Sequence, residues 1–100
     1  MSLRIELLSG ADADLQEAFN QFEDYREGFG VEFMTVVDAY LARIAIFPKI
    51  APIYLDGIRR QVMPRFPYGI FYEPQAMRVL IFAILDLRQD EELIVRRRRR

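Results

Sequence analysis

The side chains best suited to act on another molecule lie in the second half of this chain of 100 residues. They are four arginines and two tyrosines, Arg59, Arg60, Arg65, Tyr68, Tyr72 and Arg88. A guanidinium group presents a planar fork of N–H donors that matches phosphates and carboxylates. A tyrosine beside arginines can transfer a proton or stack on a nucleobase. We therefore treat these six residues as candidate target-binding residues and assign no catalytic residue.

The composition excludes several common kinds of active site. The chain has no histidine and no cysteine, so it lacks the usual zinc ligands, a thiol nucleophile and a Ser-His-Asp triad. We expect neither a metal ion nor a cofactor. The first predicted helix is rich in acidic residues, which we expect to be solvated or to cap the helix rather than to bind a divalent cation. These acids are Asp12, Asp14, Glu17, Glu23, Asp24 and Glu27.

The charge is distributed unevenly along the chain. The formal net charge is −1, but five of the fourteen basic residues form the terminal run Arg96–Arg100. Residues 1–95 therefore carry nine positive and fifteen negative charges, a balance that does not favour general adhesion to nucleic acid. We expect one domain over residues 1–95, followed by an arginine-rich tail, 96–100, that is disordered because like charges repel.

The elements that position the candidate residues follow from the hydrophobic periodicity. Residues 3–7 alternate between apolar and charged side chains and predict a short strand. Apolar residues at three- and four-residue spacing then predict two helices, joined by the turn Gly28-Phe29-Gly30 and ended by Pro48. The period changes to two for Ile58–Met63, Tyr68–Tyr72 and Met77–Leu85, which predict three strands. The order β-α-α-β-β-β implies an α+β fold, a mostly antiparallel sheet packed against a helical hairpin.

Each candidate arginine has an alternative role in the sheet. On an alternating strand Arg59 and Arg60 point to opposite faces, so at most one of them lines a given groove. The functional interpretation places that residue with Arg65 and Arg88 around a concave sheet face that grips phosphates or acidic side chains. The alternative is that the arginines pair with nearby carboxylates and only solubilise the sheet. Such carboxylates are Asp56, Glu73, Asp86 and Asp90.

The two tyrosines, Tyr68 and Tyr72, are four residues apart on one predicted strand and therefore share a face. Besides chemistry, they could fill the interface between the sheet and the helices, which is the more frequent role of such aromatic side chains. We expect the aromatic residues of the helices to belong to the same core. These are Phe19, Phe22, Phe33, Tyr40 and Phe47.

With these elements in place, the chain resembles a known family. The segment Ile58–Tyr72, IRRQVMPRFPYGIFY, is similar to the central hairpin of RelE/ParE toxins. Residues 13–18 resemble the first helix of that family, and residues 41–48 resemble its second helix and exit. Residues 83–90 lie where many relatives place a strand ending in a histidine, followed by an arginine-rich pair. The resemblance extends from Ala11 to Asp90 in the same element order.

The resemblance implies a RelE/ParE-like fold and the toxin of a type II toxin–antitoxin system, of the plasmid stabilisation type. The implied partners are a cognate antitoxin and a target, either DNA gyrase or the ribosome with its messenger RNA. We expect the antitoxin to dock by an amphipathic helix or strand on apolar surface beside the sheet edge or the hairpin. A homodimer and a hetero-oligomer with the antitoxin are both open. We expect a cytoplasmic protein with no membrane partner, because the apolar run Val79–Leu85 is too short to span a bilayer.

Within this family we favour a gyrase inhibitor, resembling ParE, that acts by binding. Ribonuclease members tend to carry several Lys and Arg residues with a Tyr or His near the C-terminus. Here the only lysine is Lys49, Asp86 occupies the position of the histidine and would repel phosphate, and no tyrosine follows Arg88. A ribosome-dependent messenger-RNA endoribonuclease (an mRNA interferase) is the alternative, and a degenerate, non-toxic binding module is a third. Whether the protein is an enzyme therefore stays open.

Overall fold

A mixed five-stranded sheet holds a helical hairpin on one face and a short third helix on the other. The computed structural model describes residues 2–88 and 91–98. The elements are β1 (Arg4–Leu7), α1 (Ser9–Tyr25), α2 (Phe29–Ile46), β2 (Ile53–Leu55), β3 (Ile58–Met63), β4 (Tyr68–Pro74), β5 (Arg78–Asp86) and α3 (Glu91–Arg98). The strand order is β1-β5-β4-β3-β2, with β1 parallel to β5 and the other neighbours antiparallel. The predicted α+β fold is confirmed, and β2 and α3 are additions to the predicted order.

Two glycines and one acidic side chain set the geometry of the hairpin. Gly28 has a φ of 85°, in the left-handed region that favours glycine. The backbone N–H groups of Gly28 and Gly30 donate to the two carboxylate oxygens of Glu23 at 2.8 and 2.9 Å. A Cβ at Gly30 would come within 2.7 Å of the Phe19 carbonyl oxygen, so the two helices approach too closely for another residue there. The turn is therefore residues 26–28, two residues earlier than predicted. Glu23 binds the start of α2, so it has a capping role of the kind expected for these acids.

The inner face of the sheet packs on both helices of the hairpin. Sheet and helices together form the inner core, whose largest buried side chains are Phe33, Val37, Ile44, Met63, Phe66, Ile70, Tyr72, Val79, Ile81 and Ile84. At the end of the sheet where β4 begins, aromatic rings meet with centroids 4.9–5.6 Å apart. These rings belong to Phe22, Phe29, Phe33, Phe66 and Tyr68. Full burial of one such side chain contributes about 1.5–3 kcal/mol to the free energy of folding. This cluster is therefore a main source of the packing energy between the hairpin and the sheet.

One predicted core aromatic lies elsewhere. Phe47 is 58% exposed, so its predicted burial is wrong. The helix ends at Ile46, and Phe47 adopts a non-helical backbone with φ −124° and ψ 72°. The three- and four-residue spacing therefore stops one residue before Phe47, and the side chain turns away from the buried stripe. Of the other predicted aromatics Phe33 is buried, and Phe19, Phe22 and Tyr40 are partly buried.

The outer face of the sheet carries a second, smaller core. The register between β4 and β5 shifts after Phe71, which leaves Phe82 as an extra residue on β5. At such a bulge two successive side chains can point to the same face. Phe82 and Ala83 both belong to the outer core, whereas Ile81 and Ile84 on either side belong to the inner core. The bulge thus provides the apolar surface on which α3 buries Ile94.

An ion pair between α1 and α3 covers the part of the β5 edge that β1 leaves unpaired. β1 pairs with β5 only up to Ile81. Beyond that point the Asp14 carboxylate accepts the Ile84 N–H at 3.0 Å and two N–H groups of Arg97 at 2.6 and 3.0 Å. Arg97 also donates to the Phe82 carbonyl at 3.2 Å. The side chains of Asp14 and Arg97 are 9% and 23% exposed. The hydrogen bonds that Arg97 donates to Asp14 raise the pKa of Arg97.

The arginine run is partly ordered by its acidic partners. Arg97 pairs with Asp14, and Arg98 donates to Glu73 at 2.9 Å. These carboxylates offset the repulsion that was expected to disorder the run, and Asp14 is not on the solvent face as predicted. α3 continues through residue 95 to Arg98, so the predicted domain boundary falls within a helix. Arg99 and Arg100 lie outside the described residues.

Replacement of Asp14 by Asn will lower the free energy of unfolding by about 2–3 kcal/mol, because it leaves the guanidinium of Arg97 without its counter-charge in a largely buried place. Asp38→Asn, at an exposed position of α2, is the matched control and should change stability by less than about 0.5 kcal/mol. Urea unfolding followed by circular dichroism measures both values. Equal stability of the two variants would contradict the structural role of this ion pair.

Candidate functional site

The six candidate residues do not surround one concave face of the sheet. Arg65, Tyr68 and Arg88 lie at the end where the β3–β4 turn meets the end of β5, since Leu87 donates its N–H to the Pro67 carbonyl at 2.8 Å. The other three, Arg59, Arg60 and Tyr72, belong to the middle or the opposite end of β3 and β4. In the register of these strands Arg59 lies opposite Tyr72, and Arg60 lies opposite Phe71. The first group is therefore the candidate site.

Arg59 and Tyr72 have structural positions on the inner face. One Nη of Arg59 donates to the carbonyls of Lys49 and Ala51 at 3.2 and 2.7 Å, which holds the loop between α2 and β2. Tyr72 is fully buried, and among the described residues its hydroxyl has no hydrogen-bond partner of regular geometry. Burial raises the pKa of Tyr72, and the nearby Ala51 backbone and Arg59 oppose that rise. A side chain so enclosed cannot touch a target.

Arg60 lies on the other face of the sheet, as the strand alternation predicted. Its guanidinium carbon is 4.8 Å from the centroid of the Tyr54 ring, a cation–π contact that favours this position by about 0.5–1 kcal/mol where it is exposed. Its stem lies over Gly69, where a Cβ would be 3.3 Å from the Arg60 Cγ. Tyr68 and Tyr72 share the inner face, again as predicted, because both pack on the inner core.

Tyr68 and Arg88 line a polar groove of about 510 Å³ between α1 and the end of β5. The Arg88 guanidinium donates to both Asp86 carboxylate oxygens at 2.9 and 2.6 Å, and the Arg88 backbone N–H adds a third bond at 2.9 Å. These bonds lower the pKa of Asp86 to about 2. Burial, followed by the Asp86 charge, raises the pKa of the Tyr68 phenol. Glu17 and Asp14 also line this groove, so its carboxylates outnumber its guanidinium group.

Arg65 borders a second groove, of about 450 Å³, on the other side of the β3–β4 turn. Its lining is mostly aromatic and includes Phe22, Tyr25, Phe29, Phe66 and Pro67. The Arg65 guanidinium pairs with Glu32 and lies 5.6 Å from the Phe66 ring centroid. Arg26 donates to the same carboxylate at 3.0 Å, a hydrogen bond that lowers the pKa of Glu32. Two guanidinium groups thus share one carboxylate, which leaves this rim positive.

The predicted pairing of arginines with carboxylates is confirmed for Arg88 and Asp86. The partner of Arg65 is instead Glu32, 33 residues away in sequence, and it was missed because α2 reaches the turn only in the folded chain. Asp90, another predicted partner, lies outside the described residues. The exposed apolar side chains after α2 have a signal in the sequence, since Ile50 and Ile53 lie beyond Pro48, which ends the helical pattern.

Within residues 2–88 and 91–98, no three His, Cys, Asp or Glu side chains are grouped so that they could hold a metal ion. In that same part of the chain, no helix is both long enough and apolar enough to cross a membrane. Two acids of α1, Asp14 and Glu23, instead accept hydrogen bonds from backbone N–H groups.

Comparison with known proteins gives a likeness in structure and none in sequence. No protein-family model matches the chain, and no curated protein sequence matches it. Among solved structures, a chain of the chromosomal ParDE TA system from P. aeruginosa superposes with a TM-score of 0.72 over 83% of this chain and 94% of that chain. The two sequences are 14% identical, so this likeness concerns the fold. The protein therefore shares the α+β fold of that chain, in agreement with the RelE/ParE-like fold that its hairpin and element order predicted.

Proposed function

We propose that this protein is the toxin of a type II toxin–antitoxin pair and that it acts by binding its target rather than by cleaving RNA. The likeness in fold to a chain of a ParDE TA system supports the first part. The second part rests on one observation, that the charged groups of the candidate site are engaged with one another. Arg88 is held by Asp86, and Arg65 is held by Glu32.

Cleavage of RNA needs a base, an acid and positive charge near the reacting phosphate. Tyr72 is enclosed in the core, and Tyr68, whose pKa is raised, is protonated at neutral pH and cannot serve as the base. The groove beside Tyr68 also carries Glu17 and Asp86, which repel phosphate. This charge balance favours a binding surface over a nuclease site.

The proposed target is DNA gyrase, contacted through the exposed guanidinium groups of Arg65 and Arg88. Their side chains are 60% and 87% exposed, and both keep N–H donors beyond those used by their carboxylate partners. Such groups can form bidentate bonds to acidic side chains of a protein target. A cytoplasmic location and neutralisation by an antitoxin belong to the same proposal.

The ribonuclease remains the second candidate because Tyr68 and Arg88 line one groove. A phenol that is protonated at neutral pH could donate a proton to a leaving oxygen, and a guanidinium group could bind the phosphate once Asp86 releases it. The two candidates therefore use Arg88 in different ways and differ in their need for the Tyr68 hydroxyl.

Induced expression of the chain in bacteria will arrest growth, and co-expression of the polypeptide encoded by the adjoining reading frame will restore it. The physical reason is that a toxin of this class is inactive only while its partner covers it. Growth curves with soluble protein confirmed by immunoblotting measure the effect. Normal growth at a high level of soluble protein would contradict the proposed function.

The double substitution of Arg65 and Arg88 by Ala will reduce toxicity by about ten-fold or more in inducer dose, since each lost charged contact is worth about 1.5–3 kcal/mol. Arg4→Ala, at an exposed arginine of β1, is the control and should stay fully toxic. Supercoiling by purified gyrase should be inhibited by the wild type and the control but not by the double variant. Cleaved messenger RNA on ribosomes, with gyrase unaffected, would contradict this target.

Tyr72→Phe will leave toxicity unchanged and will keep or raise stability, by up to about 1 kcal/mol. It removes a buried hydroxyl that has no hydrogen-bond partner of regular geometry among the described residues. Tyr68→Phe separates the two candidate mechanisms. A binding inhibitor should keep its effect on gyrase within a few-fold, whereas a nuclease that uses the Tyr68 phenol as acid would lose about 10²–10⁴ in rate. Toxicity and unfolding in urea measure the two properties.

A further inference from the structure

A second exposed surface lies at the end of the sheet opposite to Arg65 and Arg88. It is the segment where α2 ends and β2 begins, here called the 46–53 patch. Four of its eight side chains are apolar and exposed, Ile46, Phe47, Ile50 and Ile53. The first three, together with Pro48 and Lys49, line a shallow groove of about 410 Å³. Exposed apolar side chains grouped in this way mark an interaction surface more often than singly scattered ones do.

The charged residues near the 46–53 patch in the sequence are mostly basic, unlike those of the first part of the chain. Residues 43–60 carry four basic side chains and one acidic side chain, whereas residues 1–42 carry two basic and nine acidic ones. Arg43 and Lys49 are exposed beside the apolar residues. An occupant with apolar side chains flanked by carboxylates would therefore match both the apolar surface and its charged rim.

We infer that the 46–53 patch binds an amphipathic helix of a partner polypeptide, with carboxylates on either side of its apolar face. The inference deepens the proposed function, on which it rests for the existence of a polypeptide partner. A helix can place side chains at positions i, i+3, i+4 and i+7 along such a groove. The surface is separate from Arg65 and Arg88, so the partner need not cover the proposed target contacts.

A helix fits this surface better than an added strand does. β2 is the edge of the sheet, but it has three residues only and its pairing with β3 is irregular between Ile53 and Leu55. Pro52, directly before it, has no N–H to donate. Short strands, irregular pairing and proline are features that limit edge-to-edge pairing. An extended partner would gain few main-chain hydrogen bonds here, so side-chain packing must supply the affinity.

The 46–53 patch is already ordered before any partner binds. Arg59 holds the carbonyls of Lys49 and Ala51, and Ile50 donates its N–H to the Phe47 carbonyl at 3.1 Å. Ala51, within the same loop, is buried. A preformed surface loses little conformational entropy on binding. A second copy of the chain is a poorer occupant, because two such patches would bring their positive rims together.

The test uses the full chain and two synthetic peptides of about 18 residues, five helical turns, with the same leucine stripe. One peptide flanks the stripe with glutamates and the other with lysines. We expect the glutamate peptide to bind at least about ten-fold more tightly, by fluorescence anisotropy, because of the positive rim. Phe47→Asp and, independently, Ile50→Asp should weaken its binding by about ten-fold or more. Met77→Asp, at a side chain that is 81% exposed elsewhere, is the control and should leave the Kd unchanged.

Several outcomes would overturn the inference. They are equal binding of the two peptides, no binding of either, or binding that Phe47→Asp and Ile50→Asp leave intact. Binding of anionic lipid vesicles in place of the peptide would assign the surface to a membrane, and a dimer of the wild type that Phe47→Asp dissociates would assign it to a second copy. The peptide assay does not require growth arrest. A wild type that binds the peptide but does not arrest growth would therefore contradict the proposed function alone.

Discussion

β5 extends beyond β1, and an ion pair between Asp14 and Arg97 binds the main-chain groups that lack a neighbouring strand. An unpaired edge in the middle of a fold would leave polar groups without partners and invite pairing with other chains. Here one carboxylate and one guanidinium group close the edge and also join α1 to α3. The position of α3 on the outer core, and with it the burial of Ile94, depends on this contact.

The same principle operates at the candidate site, where carboxylates hold the exposed arginines. Asp86 orients Arg88 and Glu32 orients Arg65, so each guanidinium group occupies a defined position before a target arrives. Ordering of long side chains in the free protein reduces the entropy lost on binding. It also means that a phosphate must compete with a carboxylate that is already in place, which is consistent with recognition of a protein surface.

The two exposed surfaces lie at opposite ends of the sheet. The aromatic cluster around Phe66 supports the end with Arg65 and Arg88, and the loop held by Arg59 supports the end with the 46–53 patch. The sheet lies between them, with the inner core on one face and the outer core on the other. A partner at one end can therefore be present while the other end is open, unless the partner is long enough to reach both.

The sequence by itself determined the helices, the three long strands and their faces, because the periods of 3.6 and 2 are local properties of the chain. It also determined that Arg59 and Arg60 diverge. Only the tertiary structure decided which charges meet, since Asp14 and Arg97 are 83 residues apart and their attraction acts only after α1 and α3 reach the same edge of β5. The loop after α2 likewise decided the burial of Tyr72 and the exposure of Phe47, because the course of a loop does not follow from the hydrophobic period of the sequence.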